Sequence, residues 1–306
     1  MPEFAIKMQM RTASTVLDSM KITGALISRL ILRGVDADEV RRACEDGSLI
    51  ASSPFPMGPK DEILLPISNL LMYIRADVSE EEFRDLMRNR KGLPRYLPLE
   101  RIREIMKNDV EINLGDLEEI RQASKNNESE SKAKGMVVEP FVYYGNKIYA
   151  NETKVFARHF AFYARDGKFW VHIRTKWEDE TEIALQDLEK EGLSGRRSAG
   201  YGRFTFEKFE DHLQTGVSGN AYYMSLSLFV PAEGELRMID FERSYYRTRI
   251  ISGLNGDGSS FGFVRPITEG SLLFLKGPVN GKTIPIGGGR VKRLLPFNLM
   301  ALEVRR

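Results

Sequence analysis

Three glycines and three arginines crowd into the ten residues from Gly195 to Phe204, and their flanks limit the folds open to this chain. Upstream, Asp179 to Lys190 carries Ala184, Leu185 and Leu188 on one face at helical spacing, and Gly192 ends that helix. Downstream, Arg203 to Phe209 alternates polar and aromatic residues with the period of a half-buried strand. The order is helix, glycine-rich loop, strand. A P-loop or a dinucleotide-binding turn runs the other way, strand first with its glycines opening a helix, so neither fits.

Glycine lets the backbone take positive φ and lets a ligand come close, while arginine brings forked donors to phosphate oxygens and a flat face to bases. Gly195, Arg196, Arg197, Ser198, Gly200, Tyr201, Gly202 and Arg203 therefore form a candidate contact surface for nucleic acid, against the plainer reading of an ordinary helix-to-strand connection. Net charge is only +2 over 306 residues, so a polyanion site must come from local clusters. Two exist: Lys276 to Arg306 holds seven basic residues against Glu303 alone, and Met1 to Gly34 holds five against two acids.

Phe4 to Met10 alternates as an opening strand, and Ser19 to Gly34 has helical spacing at Ile22, Leu26 and Leu30. Asp36 to Asp46, Pro98 to Asn108 and Gly115 to Asn126 read as helices, and Ser79 opens another with a capping box. Ser53 to Pro59 reads as loop, and 125–132 is an apolar-free linker or insertion. Beyond it, Val137–Tyr144, Lys154–Tyr163, Phe169–Thr175, Tyr222–Val230, Phe261–Val264 and Ser271–Leu275 read as strands. Taking Lys154–Tyr163 and Phe169–Thr175 as the middle strands gives βαββαβ, a ferredoxin-like or RRM-like plan. The expectation is an α+β chain of two units: residues 1–210 with a helical insertion at about 36–135 and the glycine-rich loop at 192–203, then a β-rich unit over 211–306.

The single cysteine, Cys44, excludes an internal disulfide and reads as a small buried residue of its helix. No run approaches the 18 apolar residues of a membrane span, and the N-terminus lacks an uninterrupted hydrophobic region, so a cytoplasmic protein is expected. His159, His172 and His212 are scattered, and no Ser-His-Asp set, metal cluster or cofactor motif stands out.

With these elements in hand, the chain resembles the RAMP superfamily of CRISPR proteins, whose RRM-like domains carry a glycine-rich loop between the last helix and last strand of the first domain. The likeness is strongest to the Cas-five-like fourth Csm subunit of type III-A effectors. Gly24-Ala25-Leu26 matches a Gly-Ala-Leu stretch in the family's first helix. Ser52 to Pro56 followed by Leu64-Leu65-Pro66 is similar to its "SxPFP … LPxP" segment, and Lys91 to Leu99 to its "KKxKYIPL" segment. Tyr222 to Leu228, Pro231 to Glu235 and Glu269-Gly270-Ser271 resemble its later strands. One departure is clear: ahead of Gly24 the family has Ser-Asp-Thr-Leu-Phe, whereas this chain has Ser19-Met20-Lys21-Ile22-Thr23.

The resemblance implies a subunit that binds rather than cleaves, holding the single-stranded 5′ handle of a crRNA between a Cas-ten-type large subunit and a Cas-seven-type backbone subunit. Beside the glycine-rich loop, Arg11, Thr12, Ser14, Ser19 and Lys21 are next in line, since a helix start offers free N–H groups to anions. Tyr245, Arg247 and Arg249 interleave aromatic and basic groups, with alternate residues of a strand facing opposite ways. Two other readings stay open. One is a RAMP endoribonuclease, with Asp18 as a metal-assisting carboxylate rather than the N-cap of the first helix. The other is a protein-only interaction module that docks through its acidic helices.

Overall fold

A computed structural model describes residues 2–58, 60–66, 79, 81, 84, 96–107, 139–149, 152–162, 167–193, 197–211, 213–254, 260–286 and 293–305. The chain is α+β, with several antiparallel sheets and few helices. It opens with β1 (Glu3–Met10), α1 (Ser19–Leu32), α2 (Ala37–Glu45) and the two-residue strands β2 (Ile50–Ala51) and β3 (Phe55–Pro56). Then come β4 (Leu64–Pro66), β5 (Tyr96–Pro98), α3 (Leu99–Lys107), β6 (Glu139–Tyr149), β7 (Glu152–Phe162), β8 (Lys168–Arg174), α4 (Glu178–Glu191) and β9 (Phe204–Phe209). The second half holds β10 (Ala221–Ser225), β11 (Ile239–Tyr245), β12 (Ile251–Leu254), β13 (Ser260–Val264), β14 (Leu272–Leu275), β15 (Gly281–Ile286), β16 (Arg293–Asn298) and β17 (Ala301–Arg305).

The first sheet runs β2-β8-β1-β9, every pair antiparallel, with β3 also on β8. Strand alternation divides its faces. Ile6, Met8 and Met10 of β1, with Phe169, Val171 and Ile173 of β8, pack on Ile22 and Leu26 of α1 and on Ala184, Leu185 and Leu188 of α4. Ala5 and Trp170 turn to the opposite face.

The expected second strand, Lys154–Tyr163, is not in this sheet. It forms β7, which pairs along its whole length with β6, from Glu139↔Phe162 to Tyr149↔Glu152. Its place beside β8 belongs to β2 and β3, the latter within the Ser53–Pro59 stretch that reads as loop. The sheet margin tolerates Pro56 because its missing N–H faces no neighbour there. Between the two short strands the Ser52 hydroxyl accepts the His172 amide at 2.9 Å, and the Ser52 amide donates to the His172 carbonyl at 2.8 Å, so a side chain bridges the break in the ladder.

The second sheet runs β11-β14-β10-β17, again antiparallel throughout. Counted within its own half, the fourth strand lies beside the first, then the third, then the second, as in the first sheet. A 3-10 turn at Glu233–Met238 and the β15–β16 hairpin stand in the connections where the first half has α1 and α4. One core lies between the sheets: Ala5, Phe55 and Trp170 from the first meet Met224, Leu226, Leu272 and Leu302 from the second, with Leu99 and Ile102 of α3 closing it. The hairpin reaches back to α2, where Thr283 donates to the Cys44 carbonyl at 3.0 Å. Cys44 is buried, its thiol pushed up to about 12 by burial and by Asp46 and Glu45. The expected helix over 115–126, most of the one opening at Ser79, and the 125–132 linker lie outside the described residues.

Candidate nucleic-acid interface

The glycine-rich loop is closed at its base. Gly192 ends α4 at φ +93°, and the Leu193 amide donates to the Gly202 carbonyl at 2.8 Å. A Cβ on Gly192 would stand 2.5 Å from the Tyr201 carbonyl oxygen, so the close approach requires glycine. Within the loop Arg197–Ala199 make one 3-10 turn, followed by Gly200 at φ +81° and Gly202 at φ +75°, the left-handed positions expected of them. Gly195 and Arg196 lie outside the described residues.

The strand-to-helix connection after β1 locks onto this loop. Arg11 N donates to Arg203 O at 2.8 Å and Gly202 N to Ala13 O at 2.9 Å. Thr12 Oγ1 donates to the Gly200 carbonyl at 2.9 Å and accepts from Arg203 N at 3.0 Å. Two segments 190 residues apart in sequence, each singled out from its basic residues, thus form one corner. Arg11, Arg197, Ser198 and Arg203 are exposed on it, and Tyr201 is half-buried. Arg203 uses only its backbone in the lock. Arg197 stands 3.7 Å from Glu191, a loose pair between exposed groups that contributes little.

Ser14 and Ser19 are corrections to the sequence reading. Both are buried, and their hydroxyls are engaged inside the fold: Ser14 donates to Thr15 O, and Ser19 accepts from Leu228 N at 2.8 Å. The amides at the start of α1 are largely engaged within the protein: Ser19 N donates to Ser53 Oγ at 3.0 Å, and Lys21 N and Ile22 N donate to Asp18. Asp18 caps α1 through Oδ1 on Lys21 N at 2.9 Å, while Oδ2 takes the Lys21 ammonium at 3.1 Å and the Arg249 guanidinium at 2.7 Å.

The second basic segment leaves strand geometry after Tyr245, and its three candidates do not share one surface. Tyr245 packs against the core between the sheets, Arg247 is exposed, and Arg249 turns inward to Asp18. Thr268 N on Arg247 O, at 2.8 Å, and Arg249 N on Pro266 O, at 3.2 Å, hold this segment against its neighbour. Here lies a cleft of about 220 Å³, walled by Leu17, Ser53, Phe55, Pro66 and Tyr96 from the first half of the chain and Thr268 from the second, with Arg247 and Glu269 as its charged members. Burial pushes the Glu269 carboxyl above its ordinary value; the Asp18 charge adds to this, while Arg249 and Lys21 oppose it. Residues 11–18 run from the arginine corner to this cleft. Among the described residues, no three His, Cys, Asp or Glu side chains gather as a metal site.

Sequence reasoning did not find the buried polar cluster that ties the linker after β9 to the first sheet. His172 Nε2 is 3.1 Å from Glu3 Oε2 and its Nδ1 is 3.3 Å from Asp211 Oδ2. Trp170 Nε1 donates to Asp211 at 2.6 Å, and Arg174 donates to Glu3 at 2.5 Å and to the Thr215 carbonyl at 2.7 Å. Burial opposes ionisation of Glu3, but bonds from His172, Arg174 and Thr215 outweigh it and bring the carboxyl down to about 2. For His172 burial works against the charged form, yet Asp211 and Glu3 raise its pKa. The alternation of β8, with Trp170, His172 and Arg174 on one face, was the available signal.

No protein-family model matches the chain, and no curated protein matches it. Solved structures do. A chain of the Csm3–Csm4 subcomplex of the type III-A CRISPR-Cas interference complex aligns at TM-score 0.58 and 14% identity, over 98% of this chain and 99% of that one. Chains of the Csm1–Csm4 cassette, in complex with AMPPNP and with cA4, each align at TM-score 0.53 and 13% identity, over 99% of this chain and 98% of theirs. The protein described above has the fold of these CRISPR effector subunits.

Proposed function

We propose that this chain is a Cas-five-like subunit of a type III-A CRISPR effector, binding the 5′ handle of the crRNA without cleaving it. Single-stranded RNA is held by basic side chains on phosphates, by backbone amides close to the strand, and by planar groups under splayed bases. The observation that carries the reading is the lock between Arg11–Ala13 and Gly200–Arg203, which brings Arg11, Arg197 and Arg203 to one exposed corner of a Csm-type fold. Gly195, Gly200 and Gly202 would admit the backbone closely there, with Arg196, Ser198 and Tyr201 beside them. Lys21 and Arg247 continue the path toward the cleft.

The repeated strand order supports reading both halves as tandem ferredoxin-like RAMP domains, 1–210 and 211–306, the second having exchanged its helices for a 3-10 turn and a hairpin. The Csm1–Csm4 and Csm3–Csm4 neighbours support a multi-subunit CRISPR assembly, and in this reading the chain meets a Cas-ten-type large subunit and a Cas-seven-type backbone subunit. Asp18 favours binding over catalysis, because both its carboxylate oxygens are engaged in capping and ion pairs.

The test is affinity for a short single-stranded RNA as a function of salt. Three phosphate contacts from Arg11, Arg197 and Arg203 give a slope of log K on log salt of about −2. Absence of binding at low salt would leave the chain a protein-only module.

A further inference from the structure

The cleft between the two halves of the chain is too small for a drug-sized ligand, for which pockets start at about 300 Å³, and of a size for one flat ring system. Its walls mix Leu17, Phe55, Pro66 and Tyr96 with the polar Ser53 and Thr268. Its charged members are of opposite sign, the Glu269 carboxyl and the exposed Arg247 guanidinium. One Glu269 oxygen is buried and has no hydrogen-bond partner among the described residues, an arrangement that costs free energy wherever it persists.

Resting on the RNA-binding reading above, we infer that this cleft is a base-specific subsite, taking one splayed guanine of the bound single strand. Guanine offers two adjacent donors, N1–H and the N2 amino group, to the two oxygens of a carboxylate. Its O6 and N7 accept from a guanidinium, the pairing arginine makes most often with a base. Cytosine, adenine and uracil each lack the double donor edge. The half-exposed Tyr96, beside Pro66, offers a ring on which any base stacks and so supplies affinity without choice. Choice comes from Glu269. Residues 11–18 link the arginine corner to the cleft, with Leu17 in its wall, so a strand whose phosphates lie on Arg11 and Arg203 is placed to direct one base there.

The experiment is fluorescence anisotropy with the full chain and eight-nucleotide oligouridines carrying a single internal guanosine, inosine or adenosine. The guanosine oligomer is expected to bind roughly ten-fold or more tightly than plain oligouridine. Inosine, which lacks the N2 amino group, is expected to lose most of that gain on the unaltered protein. Glu269→Gln should remove the preference without weakening oligouridine binding, with thermal melting as the check on folding. Arg197→Ala with Arg203→Ala should lower affinity for every oligomer and keep the preference. Equal binding of all oligomers, or a preference that survives Glu269→Gln, overturns the guanine subsite and leaves the RNA-binding reading standing. No binding of any oligomer at low salt overturns both.

Discussion

Asp18 Oδ2 lies 2.7 Å from the guanidinium of Arg249, joining the first helix to the segment that follows β11, the edge strand of the second sheet. Asp18 is almost wholly buried and also caps α1, so one carboxylate holds both a helix end and an interface between sheets.

Asp18→Ala should therefore destabilise the fold by about 2–3 kcal/mol, combining the lost cap with an arginine left half-buried and unpaired. Denaturant unfolding measures this. A change within a few tenths of a kcal/mol would show that the pair does not hold the two halves together.

Stability should pass through a maximum between acid and mildly alkaline pH, for two separate reasons. Glu3 has its pKa depressed from 4.5 to about 2, so its contribution is complete above pH 4.5 and is lost as pH falls toward 2. That shift corresponds to a stabilisation on the order of 3 kcal/mol. His172 has its pKa raised above 6.5, so its contribution is complete below 6.5 and disappears as pH rises through the folded-state value. Glu3→Gln should flatten the acid limb and His172→Gln the alkaline limb of melting temperature against pH. Identical profiles for variant and parent would dismiss the Glu3–His172–Asp211 cluster as their origin.

Two glycines of the loop should respond differently to alanine. Gly192 combines φ +93° with a carbonyl 2.5 Å from the new Cβ, so Gly192→Ala should cost about 2 kcal/mol or more and reshape the loop. Gly200 sits at φ +81° in open space, and its alanine variant should cost about 1 kcal/mol from conformation alone. Melting temperatures of the two variants give the comparison; equal effects would count against the close approach of Gly192 to Tyr201.

Arg197→Ala with Arg203→Ala should weaken RNA binding by about 1–3 kcal/mol and make the salt slope less negative, with unfolding unchanged. Folding is spared because Arg203 joins the lock only through its backbone, and Arg197 makes one loose pair at 3.7 Å. Undiminished affinity would move the interface off this corner.

The elements with clean periodicity were legible before any coordinates. β1, α1, α2, α4 and β9 fall within two residues of where alternation and helical spacing put them, and Gly192, Gly200 and Gly202 take the positive φ that the loop required. Periodicity names a strand and its faces but not its neighbour, which is why Lys154–Tyr163 was assigned to the sheet that it does not join. β2 and β3 are two residues each, too short for any pattern, and Pro56 argued against them until the sheet margin removed its cost. Ser19 read as polar and available because the chain that covers it, at Leu228, is 209 residues away. The Glu3–His172–Asp211 cluster escaped for the same reason.

The common core of Ala5, Trp170, Met224 and Leu302 has a consequence for recognition. With both halves rooted in one interior, the spacing between the arginine corner and the Arg247 segment is set before any ligand arrives. On the RNA-binding reading, a strand would meet two surfaces already spaced apart, and little of its affinity would go into arranging the two halves.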